Sequence, residues 1–117
     1  MGTFVETAKG TMINAERTNC VFISLHDDDP STTGANEISG GSPAYIRKAC
    51  VFNAYAATAS ALNADVTLDV PACTVKYVGY WTLEEDGVFQ GSDAVENEIF
   101  AAQGEYKVLA AGTSLTV

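Results

Sequence analysis

From Cys20 onward the apolar residues fall in short, often alternating runs, separated by turn residues every 8 to 12 positions. Asp65-Val66-Thr67-Leu68-Asp69-Val70 is the cleanest case: Val66, Leu68 and Val70 point one way, Thr67 and Asp69 the other, and Pro71 stops the run. Period two is the signature of a half-buried strand, and a helix cannot satisfy it. Further strands are expected at Cys20 to Leu25, Tyr45 to Asn53, Thr74 to Leu83, Val88 to Ser92, Glu96 to Phe100, Glu105 to Leu109 and Gly112 to Val117. Glu84-Glu85-Asp86-Gly87 carries the Asp-Gly signal of a hairpin. Ala54 to Ala64 reads either as a helix, on its alanines, or as a loop with a short edge strand. The fold class is therefore all-β, an antiparallel β-sandwich or jelly-roll-like domain.

The N-terminus follows a different period. Thr3-Phe4-Val5-Glu6 has the form of a capping box, and Phe4, Val5, Ala8, Met12 and Ile13 recur at helical spacing. This predicts a short helical arm within residues 1–18 and a β-domain over residues 19–117. Gly10 weakens the helix by about 1 kcal/mol relative to Ala. An arm with one apolar stripe needs cover, from its own domain or from a neighbour.

With 117 residues the chain has room for one domain. Fifteen acidic against six basic residues give a formal charge of −9. That charge repels phosphate backbones and anionic lipid surfaces, so neither nucleic acid nor membrane is expected as a partner. Residues 1–10 lack a basic start followed by an apolar core, and the sequence contains no Asn-X-Ser/Thr sequon. Synthesis in a cytosol without export through a secretory route is the expectation.

Chemistry-bearing residues are sparse. The three cysteines, Cys20, Cys50 and Cys73, lie 30 and 23 residues apart and fit no CxxC pattern. Each sits in an apolar run, which favours buried thiols; one disulfide plus a free thiol is the alternative. His26 is the one histidine, at the end of a strand and followed by Asp27, Asp28 and Asp29. A hydrolytic site would need a pocket around it and a nucleophile such as Ser24 or Ser42, and no Gly-X-Ser-X-Gly elbow is present. The three aspartates read as a solvated turn, with weak Ca²⁺ binding as the alternative, because neighbours in an extended chain diverge. Glu84, Glu85 and Asp86 read as surface charge on a hairpin. Gly40-Gly41-Ser42 is followed by Pro43 and not by the Lys of a phosphate loop. No residue is assigned a catalytic, cofactor-binding or metal-binding role.

Tyr77, Tyr80 and Trp81 are the densest aromatic group. They suit a core, a subunit interface or a sugar-stacking platform, and the last requires them exposed and coplanar. With the arm residues Phe4, Val5, Met12 and Ile13 they form the set of candidate interface residues.

One stretch carries a family resemblance. Phe22-Ile23-Ser24-Leu25-His26 leads through Asp29-Pro30 to Thr33-Gly34-Ala35-Asn36-Glu37-Ile38-Ser39-Gly40-Gly41-Ser42, and then to Tyr45-Ile46-Arg47. Later come Thr74-Val75-Lys76-Tyr77-Val78-Gly79-Tyr80-Trp81 and Gly87-Val88-Phe89-Gln90-Gly91. This order, over residues 20–117, resembles a family of small tailed-bacteriophage virion proteins of the tail fibre or minor tail type. It departs from the pattern at Asp27-Asp28, at Pro43 and at Lys48. The resemblance implies a non-enzymatic structural protein of the virion, made in the bacterial host cytoplasm, with itself, as a homotrimer, and other virion proteins as partners. A capsid decoration (cement) protein is the alternative within that class, and a glycan-binding module the alternative outside it.

Overall fold

A computed structural model describes residues 5–116. Helix α1 spans Glu6–Glu16 and is followed by eight strands: β1 Phe22–His26, β2 Lys48–Ala49, β3 Ser60–Ala61, β4 Val66–Val70, β5 Cys73–Trp81, β6 Phe89–Phe100, β7 Gly104–Val108 and β8 Ser114–Leu115. All pairings are antiparallel, and the chain is all-β with one short N-terminal helix.

The pairing is nested. β5 pairs with β6, β4 with β7 and β3 with β8. Residues 60–115 therefore form one long double ribbon, closed at the Asp86-Gly87 turn and bent where Pro71 interrupts the β4–β5 side. Rolling such a ribbon is how a jelly-roll-like domain covers its apolar face. β1 then adds to β5, and β2 to β1, giving a four-stranded sheet in the order β2-β1-β5-β6. Ile23, Leu25, Phe52, Leu68, Val70, Val75 and Val78 are almost wholly buried between the layers. Each contributes about 1.5–3 kcal/mol on leaving water.

Several expectations are corrected. The helix begins at Glu6, with Val5 as its cap residue and no side-chain cap bond. Thr3 and Phe4 themselves lie outside the described residues. Glu6 bonds Tyr55, whose hydroxyl donates to Oε2 at 2.5 Å. That bond holds the Glu6 carboxyl below its usual range. Tyr45 to Asn53 does not form one strand: Tyr45 N–H turns back to Gly40 O, Lys48–Ala49 pairs with β1, and Phe52 bridges Leu62 across the β3 side. Val88 to Ser92 and Glu96 to Phe100 are parts of a single strand, β6, whose ladder to β5 slips between Val75 and Tyr77 and again between Tyr80 and Trp81. The slip explains why Val75 and Val78, three residues apart, are both in the core. The alanine-rich segment takes the loop-and-edge-strand option, with β3 at its end.

α1 rests on its own domain. Ile13 is buried, Arg17 Nη1 donates to Phe52 O at 3.0 Å, and Tyr55 N–H donates to Asn14 Oδ1 at 2.9 Å. A Cβ placed on Gly10 would lie 3.0 Å from the Tyr55 ring, so the glycine that lowers helix propensity is also where helix and domain touch.

Candidate functional site

β1 is buried on both faces. Ile23 and Leu25 enter the main core, while Ser24 and His26 point to the other side of the sheet and are also fully buried. Opposite Ser24 in the ladder stands Gly79. Any Cβ there would lie 2.4 Å from Ser24 Oγ and 2.7 Å from His26 Nε2, so the bare glycine makes the space for both. The Trp81 indole, two residues along β5, donates from Nε1 to Ser24 Oγ at 2.8 Å. Ser24 Oγ lies 2.7 Å from His26 Nε2, and His26 Nδ1 lies 2.7 Å from Ala35 O. A carbonyl only accepts, so Nδ1 carries the proton and Nε2 accepts from the Ser24 hydroxyl. The polar chain thus runs Trp81 to Ser24 to His26 to Ala35, with every member satisfied.

The Asp27–Pro43 loop covers this face. Pro30 and Gly34 are buried, and Gly34, at φ 75°, sits so close to Trp81 that a Cβ would be 2.4 Å from the ring. Asp27 N–H donates to Asn36 O and Ile38 N–H to Leu25 O. From Gly34 to Ile38 the loop therefore lies on its own sheet, while Asp27, Asp28 and Asp29 are exposed, as a solvated turn requires. Asp29 is used locally: Oδ1 accepts from Ser31 N–H at 2.8 Å.

A second cluster follows. Arg47 is largely buried and grips Glu37 with both ends of its fork, Nε to Oε2 and Nη2 to Oε1, each at 2.9 Å. Its Nη1 donates to Leu83 O and Asp86 O at 3.1 and 2.8 Å, fastening the β5–β6 turn. Tyr45 donates its hydroxyl to Glu37 Oε2 at 2.7 Å and accepts from Leu25 N–H at 3.0 Å. Burial pushes the Tyr45 phenol far up, with the Glu37 contact acting in the same direction. The guanidinium lies 3.5 Å from the Trp81 ring centroid, joining the two clusters. Gly41, at φ 96°, leaves space for Gln103, whose amide accepts from Ser42 N–H and donates to Pro43 O, both at 3.0 Å.

Glu37, Tyr45, Arg47 and Trp81 are thus parts of one interlocked unit. The sequence reading missed Glu37, Tyr45 and Arg47 as a set. Their signal was a lone carboxylate followed by Tyr and Arg at alternate positions, readable only once they are known to converge.

What the arrangement can do chemically is limited by access. Ser24 and His26 stand at nucleophile-to-base distance. The Ser24 hydroxyl is nevertheless fully buried, and its oxygen already accepts from Trp81. His26 ends strand β1, where its place at a strand end put it, and is fully buried. Burial also holds its pKa below the ordinary 6.5. Among the described residues no group of three His, Cys, Asp or Glu side chains converges as a metal site. All three thiols are free, with Cys20 and Cys50 buried and Cys73 half-buried.

The candidate interface residues separate. Phe4 is outside the described residues. Ile13, Tyr80 and Trp81 are buried within the chain, the core option for the two aromatics. Tyr80 and Trp81 also point to opposite faces of β5, so no coplanar stacking platform forms. Val5 is exposed, and Met12 and Tyr77 are half-buried. Missed by the sequence reading is the outer edge of β6, which bonds only to β5 and carries Ile99 at 79% exposure. Between β6 and the β7–β8 segment lies an open cleft of about 470 Å³, lined by Val78, Tyr80, Asp93, Val95, Tyr106 and Val108 among others. Compared with protein-family models, curated proteins and solved structures, the chain matches none.

Proposed function

We propose that this chain is a non-enzymatic structural protein of a tailed-bacteriophage virion, tail fibre or minor tail-like, that assembles as a homotrimer. The observation that carries the reading is the free edge of β6. It runs for 12 residues, is largely exposed and ends in the apolar pair Ile99-Phe100. Such an edge is a template for another chain and needs cover in a stable particle. Two identical β6 edges meeting about a two-fold axis at Asn97 would set Glu96 opposite Glu98, and like charges across a ladder repel. A heterologous contact avoids that clash and, where its rotation closes, gives a ring such as a trimer. The interlocking of Glu37, Tyr45, Arg47 and Trp81 supports the reading from a second side, because the resembling residues then specify one fold.

Light scattering on the purified protein tests the assembly. The expected mass is three times the 12.3 kDa of the chain. Ile99→Asp is expected to yield folded monomer. A wild-type monomer at about 0.1 mM, where an association of only about −5.5 kcal/mol would already be half formed, contradicts the trimer. Mass spectrometry of purified phage particles tests the location, and absence of the chain from them contradicts the virion reading.

A further inference from the structure

We propose that the Ser24–His26 pair is a pH-operated fastener: protonation of His26 under mildly acidic conditions releases the Asp27–Pro43 loop from the four-stranded sheet while the double ribbon stays folded. The hydrogen-bond geometry carries this. Trp81 Nε1 donates to Ser24, Ser24 to His26 Nε2, and His26 Nδ1 to Ala35 O. A second proton on the ring occupies Nε2, the one acceptor the Ser24 hydroxyl uses. Ser24 then faces two donors, from Trp81 and from His26, and must turn its own proton away from the ring. The imidazolium is also enclosed, since His26 is fully buried.

Glu37 and Asp27 attract a positive ring, but no carboxylate hydrogen-bonds it. Glu37 is the bridge partner of His26 in the loop, but its carboxylate is held by Arg47 and Tyr45. Arg47 repels a positive ring, while Asp27, adjacent on the chain, attracts it from an exposed position. From β5 the register partner is Tyr77, and Gly79 and Trp81 add no charge. From β6 the ring meets the edge of Phe89, at 6.1 Å between centroids. Burial is accordingly the leading influence on the ring, and it favours the neutral form. With the folded pKa depressed, the unfolded or opened state binds the extra proton more readily. The stability this gives is fully present above about pH 6.5 and is lost as pH falls through the folded value.

The loop is the part that yields. It is tied to β1 through Ala35 O, Asn36 O and Ile38 N–H, and Asp27 to Asp29 and Ser31 to Thr33 are exposed. Opening it hydrates the imidazolium without breaking the β4–β7 or β5–β6 ladders, and local opening costs less than global unfolding.

The chain has one histidine and one tryptophan, so two clean probes report on adjacent links. Trp81 emission is followed from about pH 7.5 to about pH 4.5 alongside the proton NMR signal of the His26 ring, a window set by histidine's ordinary range. A reversible emission step is expected at the same midpoint as the ring titration, below 6.5. Amide protection within residues 27–43, corrected for intrinsic exchange, is expected to fall by up to about tenfold per pH unit below pH 6.5, with that of β4 and β7 unchanged. Glu37→Gln is expected to retain the step and His26→Asn to lack it. No step, a midpoint different from that of the ring, loss of protection throughout the chain, loss of the step in Glu37→Gln, or its persistence in His26→Asn overturns the proposal. If His26→Asn does not fold, agreement or disagreement of the two wild-type midpoints decides.

Discussion

The Arg47 guanidinium lies over the Trp81 indole, 3.5 Å from the ring centroid. Through this contact the Glu37–Tyr45–Arg47 cluster and the Trp81–Ser24–His26 chain form one body. A planar cation stacked on an aromatic face contributes about 0.5–2 kcal/mol, more where water is excluded.

Trp81→Ala is expected to destabilise the fold by about 3–5 kcal/mol, the range for emptying a buried large aromatic site. The variant removes the indole, its bond to Ser24 and the surface under Arg47 together. Denaturant unfolding measures the difference. A loss below about 0.5 kcal/mol, the level of an ordinary surface change, would mean that Trp81 is not a core residue.

Arg47→Lys keeps the charge and discards the fork. One ammonium cannot hold both Glu37 oxygens and the carbonyls of Leu83 and Asp86 at once. The expected cost is about 3 kcal/mol, as for breaking a buried pair. Amide exchange in residues 82–88 should quicken first, because that turn loses its tie. Unchanged exchange there would show that the turn does not depend on Arg47.

Gly79 and Gly91 make a paired test. Gly79→Ala drives a methyl into Ser24 and His26 and is expected to cost about 3 kcal/mol, the upper end for overpacking. Gly91→Ala has open space and is expected to fall within about 0.5 kcal/mol of wild type. Equal costs measured by thermal unfolding would contradict the packing described.

Thiol labelling follows burial. Desolvation pushes Cys20 and Cys50 up to about 12 each, and Glu16 beside Cys20 adds to that shift. Cys73 is half-buried and raised for the same reason. Alkylation of the native protein near pH 8 should mark Cys73 first, with Cys20 and Cys50 labelled only on unfolding. Peptide mapping reads the order, and rapid native labelling of Cys50 would count against its buried place.

Much of the β-architecture is written locally. The alternation at Val66–Val70 survives as β4 because Val66, Leu68 and Val70 each find the core. Asp86-Gly87 makes the turn because both residues take positive φ, 56° and 76°. β6 was read as two strands because the ladder slips break its period, and a slip is a property of the partner strand as much as of the sequence. The helix starts at Glu6, whose carboxylate accepts from the Tyr55 hydroxyl, a contact 49 residues away that local spacing cannot show.

By itself the sequence determined the all-β class, the helical arm, the hairpin turn and the acidic surface, since each depends on period, turn chemistry or charge over a few adjacent residues. Only the tertiary structure decided that His26 is buried and that Glu37 meets Arg47 and Tyr45. Those facts depend on side chains brought together from distant strands. A buried polar group is tolerable only where its partners also arrive, and their arrival is set by the register of β1 against β5 and by the return of the Asp27–Pro43 loop.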